Sequence, residues 1–149
     1  MSHKKLVDIT EYHMYEYFST LKVAPKILNV KAIVNMLEIE TVKYPMTLSE
    51  YVDGGGDLET FQDQISKLID IIHKNKILHG DLHSNNIVVN PETHDVRIID
   101  FGESRNFNDI DDCDLDQFNR FLQPEEPFQC LNDVIQFEKE MYLRDFKNF

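Results

Sequence analysis

No stretch of the sequence restricts the fold as tightly as residues 79–102. A polar run, His79-Gly80-Asp81-Leu82-His83-Ser84-Asn85-Asn86, leads into the apolar run Ile87-Val88-Val89. A second β-branched run, Val96-Arg97-Ile98-Ile99, follows the turn-rich Asn90-Pro91-Glu92-Thr93-His94-Asp95. Asp100-Phe101-Gly102 closes the stretch. Two short β-branched runs around an Asn-Pro-containing turn read as a hairpin. Asp100 follows a strand of Val and Ile, which would thrust it from a sheet end.

The rest of the pattern frames that hairpin. The chain of 149 residues has 42% hydrophobic and 28% charged residues, which suits one globular domain with a real core. Residues 8–21 read as an amphipathic helix with Thr10 as its cap and Ile9, Tyr12, Glu16 and Leu21 near helical spacing. Pro25 ends it. Residues 26–30 and 32–39 read as strands, Pro45 breaks the second, and residues 47–52 read as a helical turn. Between 58 and 75, Leu58, Phe61, Ile65, Leu68, Ile69 and Ile72 recur every three or four residues, a helix with one buried stripe. Residues 114–122 and 131–145 read as helices separated by Pro124 and Pro127.

Charge excludes some partners. The net charge is −12. Residues 1–50 are balanced, so the whole excess lies in 51–149. Such a surface repels nucleic-acid backbones and attracts basic peptides or proteins. The acidic run Asp109, Asp111, Asp112, Asp114 and Asp116 is the densest part of it. No apolar run is long enough to span a bilayer, and the first residues have no signal-peptide core. Cys113 and Cys130 match no metal or redox spacing and suggest a reducing compartment. The expectation is a cytoplasmic or nuclear protein that binds neither membrane nor nucleic acid. His79 and His83 lie in a loop, so their spacing does not align two imidazoles for zinc.

In order and spacing, the two motifs resemble H-x-D-L-x-x-x-N and D-F-G of the protein-kinase-like superfamily. The resemblance covers roughly residues 10–120. It implies an α+β fold: a mainly helical C-lobe (about 46–149) and a remnant N-lobe (about 1–45) with an αC-like helix and two strands. Glu40 to Tyr44 resembles the hinge. The resemblance further implies ATP and magnesium as ligands. Asp81 would orient the acceptor hydroxyl, and Asn86 and Asp100 would hold magnesium. His79 would brace the loop against the D-F-G backbone. His83 stands where aminoglycoside-type phosphotransferases often have His, in H-G-D-L-H, and would contact the γ-phosphate.

The departures from the pattern are equally specific. No Gly-rich loop precedes the first helix, and Gly54-Gly55-Gly56 reads as a linker after the hinge-like segment. A V-A-I-K strand is missing; Lys4 or Lys5 would be its remnant, and Glu16 is the candidate carboxylate to pair with it. On this reading the first three N-lobe strands are absent. No A-P-E follows Gly102, and Asp114, with Asp112 and Asp116 as rivals, is the candidate for the buried Asp that opens the next major helix. The short segment resembles the atypical RIO and KEOPS-type kinases. Two functions fit: an ATP- and magnesium-dependent phosphotransferase, most simply a Ser/Thr protein-kinase-like enzyme, or a catalytically inactive mimic that binds and modulates a protein partner.

Overall fold

The computed structural model describes residues 1–146. Strand β1 (Ser2–Val7) leads into α1 (Ile9–Thr20), then a hairpin of β2 (Ile27–Ile33) and β3 (Met36–Val42). These strands form an antiparallel sheet in the order β1-β3-β2, with Lys5 opposite Ile39 and Val30 opposite the same residue on the other side. The sheet thus has three strands where the sequence pattern suggests two. His-Lys-Lys does not read as a strand because β1 is an edge strand, exposed at most positions, with no apolar alternation to betray it.

Helix α1 begins two residues earlier than a Thr10 cap requires. Asp8 is the cap: its carboxylate accepts the Glu11 N–H at 2.8 Å. The buried face is also not the one expected. Glu11, Tyr15 and Phe18 are buried, whereas Ile9 and Leu21 are exposed. Helix α1 carries aromatic residues on several faces, so its own periodicity does not decide which one turns inward. Its neighbours do.

Short β4 (Met46–Thr47) and α2 (Leu48–Asp53) follow, the latter closed by a reciprocal cap between Thr47 and Glu50 at 3.1 and 3.0 Å. Helix α3 (Glu59–Lys74) buries Phe61, Ile65, Ile69 and Ile72, four residues of the predicted stripe. Each such side chain contributes about 1.5–3 kcal/mol on burial, so α3 is the main support of the core. Strand β5 (Ile77–Leu78) precedes the polar loop, which ends in a 3-10 turn (Ser84–Asn86). The predicted hairpin is β6 (Ile87–Asn90) with β7 (Asp95–Ile98), and β4 adds to its edge in the order β4-β6-β7. Strand β8 (Arg105–Asn106) pairs with β5. Helices α4 (Asp112–Leu122) and α5 (Leu131–Glu140) follow, and a 3-10 turn (Met141–Phe146) replaces the last part of the predicted helix 131–145.

One core joins the two sheets: Val7 and Ile39 of the first, Phe18 of α1, Ile65 of α3 and Ile98 of β7 belong to the same buried cluster. The acidic run is partly consumed by local structure, since Asp111 and Asp114 cap α4 reciprocally at 3.0 and 2.9 Å. Among the described residues no helix is long and apolar enough to cross a membrane.

Candidate active site

The hairpin β6–β7 sets the geometry as the sequence implies. Asn86 leaves the loop at the start of β6, and Ile99, just past β7, donates its N–H to the Asn86 carbonyl at 2.9 Å. Asp100 follows directly. Its φ of +64° lies in the left-handed region, which Asp tolerates better than most residues. The Asp100 N–H donates to the Tyr15 hydroxyl at 2.7 Å. Phe101 turns inward, edge-on to Tyr15, stacked on Phe18 and edge-on to His79, with ring centroids 5.0–5.4 Å apart. This packing chooses the face of α1.

That choice has an electrostatic consequence. Lys5 Nζ lies 2.8 Å from Glu11 Oε2 and 3.1 Å from Asp100 Oδ1. Burial alone would lower the Lys5 pKa, but its bonds with Glu11 and Asp100 and the nearby Tyr15 outweigh that and raise it. The carboxylate that meets the lysine is therefore Glu11 and not Glu16. Glu16 is exposed, and its carboxylate accepts from the Tyr12 hydroxyl. The correction is one of helix phase: Glu11 shares the inward face with Tyr15, and Glu16 does not. Lys4, the other candidate, is exposed on β1, paired across the sheet with Glu40.

Asp81 and Asn86 form the second half of the site. Asn86 Nδ2 donates to the Asp81 carbonyl at 2.7 Å and to its carboxylate at 3.3 Å. That leaves Oδ1 as the Asn86 oxygen available to a cation. His83 Nδ1 accepts the Asn85 N–H at 3.2 Å, and its Nε2 lies 3.2 Å from Asn86 Nδ2. Nε2 lies 3.5 Å from Asp81 Oδ1. His83 thus faces the Asp81 carboxylate and steadies it. The Asp81 and Asp100 side chains stay 41% and 45% exposed, open to a ligand.

His79 is fully buried, with Nε2 2.9 Å from the Ile99 carbonyl and Nδ1 accepting the Asp81 N–H at 3.2 Å. Both bonds fit a neutral ring. Burial lowers its pKa, against the pull of Glu138. Gly80 is irreplaceable here: its φ is +92°, and a Cβ would lie 2.3 Å from the Glu103 carbonyl oxygen.

Asp114 does not reach this loop. It pairs with Arg105 at 2.8 Å, which holds its carboxyl below the usual range, and caps α4. The buried carboxylate behind the loop is Glu138 of α5, which accepts the His79 and Gly80 N–H groups, both at 2.9 Å, and lies 2.8 Å from His73 Nε2. Burial pushes its pKa up, but bonds from His73 and the two amides, together with His79, pull it below the ordinary value. Residue chemistry alone hints at this only through Glu138 standing four residues after Val134, on the apolar face of α5.

These two shifts act in one direction. The unfolded chain protonates His79 near its ordinary pKa of about 6.5, while the folded chain holds it neutral. Glu138 adds stability that is fully present above about pH 4.3 and is lost as pH falls through its lower folded value. The melting temperature is therefore expected to fall from pH 7 to pH 3, and Glu138→Gln should remove the lower limb of that profile. A wild-type profile flat across this range would contradict the buried pair.

Beneath the first sheet lies a cavity of about 410 Å³, lined by His3, Lys4, Lys5, Tyr15, Ile39, Thr41, Ile99 and Asp100. Among the described residues no three His, Cys, Asp or Glu side chains converge as a metal site. The oxygens of Asp100 and Asn86 are a small, hard donor set, which suits magnesium, an ion that keeps waters and phosphate oxygens as its other ligands.

The model of the protein kinase domain family matches residues 1–125. The chain belongs to the protein kinase domain family. This family member is 29% identical over 91 residues to the EKC/KEOPS complex subunit bud32 of Dictyostelium discoideum, covering 60% of this chain and 36% of that protein. It is 34% identical over 101 residues to human myosin light chain kinase 3, covering 54% of this chain and 12% of that one. The kinase-family chain thus spans about a third or less of these curated relatives. Among solved structures, the PK-1 kinase of Cydia pomonella granulovirus shares the fold with a TM-score of 0.58 and 20% identity, over 70% of this chain and 43% of that one.

Proposed function

We propose that the chain is an ATP- and magnesium-dependent phosphotransferase acting on a hydroxyl acceptor, most simply a Ser or Thr of a protein. The observation that carries this reading is Lys5 held between Glu11 and Asp100 at 2.8 and 3.1 Å. Family membership and the kinase relatives support it. Magnesium, when bound, neutralises charge on the phosphates. Asp100 and the Asn86 amide oxygen would hold it, and Lys5 would bind phosphate oxygens once Asp100 turns to the metal. The Asp81 carboxylate, 41% exposed and steadied by Asn86 and His83, orients the acceptor hydroxyl and takes its proton. The acidic surface favours a basic protein acceptor.

Titration calorimetry with ATP tests this. Binding is expected to require magnesium and to lose that requirement in Asp100→Asn. A folded chain that binds no ATP at millimolar concentration would remove the reading. One observation favours the second reading, a non-catalytic mimic that binds a protein partner. In the hinge-like segment the Val42 and Lys43 N–H groups already donate to the Lys26 and Met1 carbonyls, at 2.9 and 3.4 Å. A purine that needs those donors would have to displace internal bonds.

A further inference from the structure

The segment matched by the kinase family ends at residue 125, yet two carboxylates beyond it hold the loop that carries Asp81. Glu138, 3% exposed, receives the His79 and Gly80 N–H groups on its two oxygens at 2.9 Å, with His73 Nε2 2.8 Å from the first of them. Burying a carboxylate is strongly unfavourable unless its lone pairs are met, and here backbone donors of the catalytic loop meet them. Asp145 Oδ2 receives the Ser84 N–H at 2.7 Å, a length typical of a charge-assisted bond. Tyr142, three residues before Asp145, is buried in the main core and fixes the turn from which Asp145 reaches out.

The two anchors sit on either side of Asp81. Gly80 is tied on one side and Ser84 on the other, so only Asp81, Leu82 and His83 lie between fixed points. Leu82 is itself fully buried. Ser84 also opens the 3-10 turn that ends in Asn86, whose amide grips Asp81. Displacing Ser84 therefore moves both the Asp81 carboxylate and the Asn86 oxygen.

We infer that Asp145 is a positioning residue, and that the turn Met141–Phe146 completes the active centre by fixing the far end of the loop whose near end Glu138 holds. The inference rests on the phosphotransferase reading for its catalytic consequence, but the suspension has a readout of its own. Asp145 is exposed, so Asp145→Ala leaves the core intact. In the full chain, Asp145→Ala is expected to speed amide exchange at Ser84 about tenfold. The Asn86 side-chain amide should lose its protection in the same variant, while the β6–β7 amides keep theirs. In an active preparation, kcat falls about tenfold while KM for ATP stays within about twofold, and Asp145→Asn, which still accepts the Ser84 N–H, restores most of it. Wild-type exchange at Ser84 and Asn86 in Asp145→Ala would overturn the suspension. Equal losses in kcat and stability with no rescue by Asn would reduce Asp145 to a structural role and overturn it too. A wild-type chain that transfers phosphate to no acceptor would defeat the phosphotransferase reading instead, and the exchange result would still decide the suspension.

Discussion

Asp81→Asn is expected to lower phosphotransfer by about 10²- to 10⁴-fold, the usual worth of a positioned general base. Nucleotide affinity should be unchanged, because the cavity under the first sheet is lined by Lys5 and Asp100 and not by Asp81. The fold should be unchanged as well. Asp81 is 41% exposed, and the atom that Asn86 grips most closely is its backbone carbonyl, which the substitution keeps. The measurement is single-turnover phosphate transfer beside calorimetric binding of ATP with magnesium. Retained binding with lost transfer assigns the base; full activity in Asp81→Asn would move that role elsewhere. The contrast with Lys5→Ala is informative, since removing Lys5 breaks its pairs with Glu11 and Asp100 and should weaken binding itself.

The largest effect on stability is expected at Phe101. Its ring is 1% exposed and lies against Tyr15, Phe18 and His79. Phe101→Ala should cost about 3–5 kcal/mol, the transfer free energy of the ring plus the cavity it leaves. For a chain of this length that lowers the melting temperature by about 10 °C or more. The loss is also local in meaning. Tyr15 touches Phe101 through its ring and Asp100 through its hydroxyl, and Glu11 sits one helical turn before it. A cavity at Phe101 thus frees α1 to rotate and loosens the Lys5–Glu11 pair. Urea unfolding would show the midpoint shift at constant slope. Phe101→Leu, which fills most of the space, should recover more than half of the loss, and equal costs for Ala and Leu would argue against a packing origin.

The hairpin and helix α3 were legible in the sequence because their signals are local. The β6–β7 hairpin needs only β-branched runs and a turn, and α3 needs only a stripe at helical spacing. Both lie where the sequence places them, within one or two residues. In the folded hairpin the Ile99 N–H meets the Asn86 carbonyl. The C-terminal helix shows the opposite case: periodicity continues to 145, but the chain tightens into a 3-10 turn after Glu140 as Tyr142 enters the core.

What the sequence by itself determined is the family, the α+β class and the hairpin within residues 79–102, all of which rest on patterns that neighbouring residues enforce. The tertiary structure decided three things that no local pattern contains. It made Ser2–Val7 a strand by giving it β3 as a partner. It made Glu11 rather than Glu16 the partner of Lys5, because the phase of α1 is set by Phe101 and not by the helix's own sequence. It made Glu138 rather than Asp114 the buried support of the loop. In the last two cases a charged side chain took its role from a residue distant in the chain: Asp100 for Lys5, the His79 and Gly80 amides for Glu138. A lone Lys or Glu in sequence reads as solvated surface, and only the burial and partners supplied by packing make it otherwise.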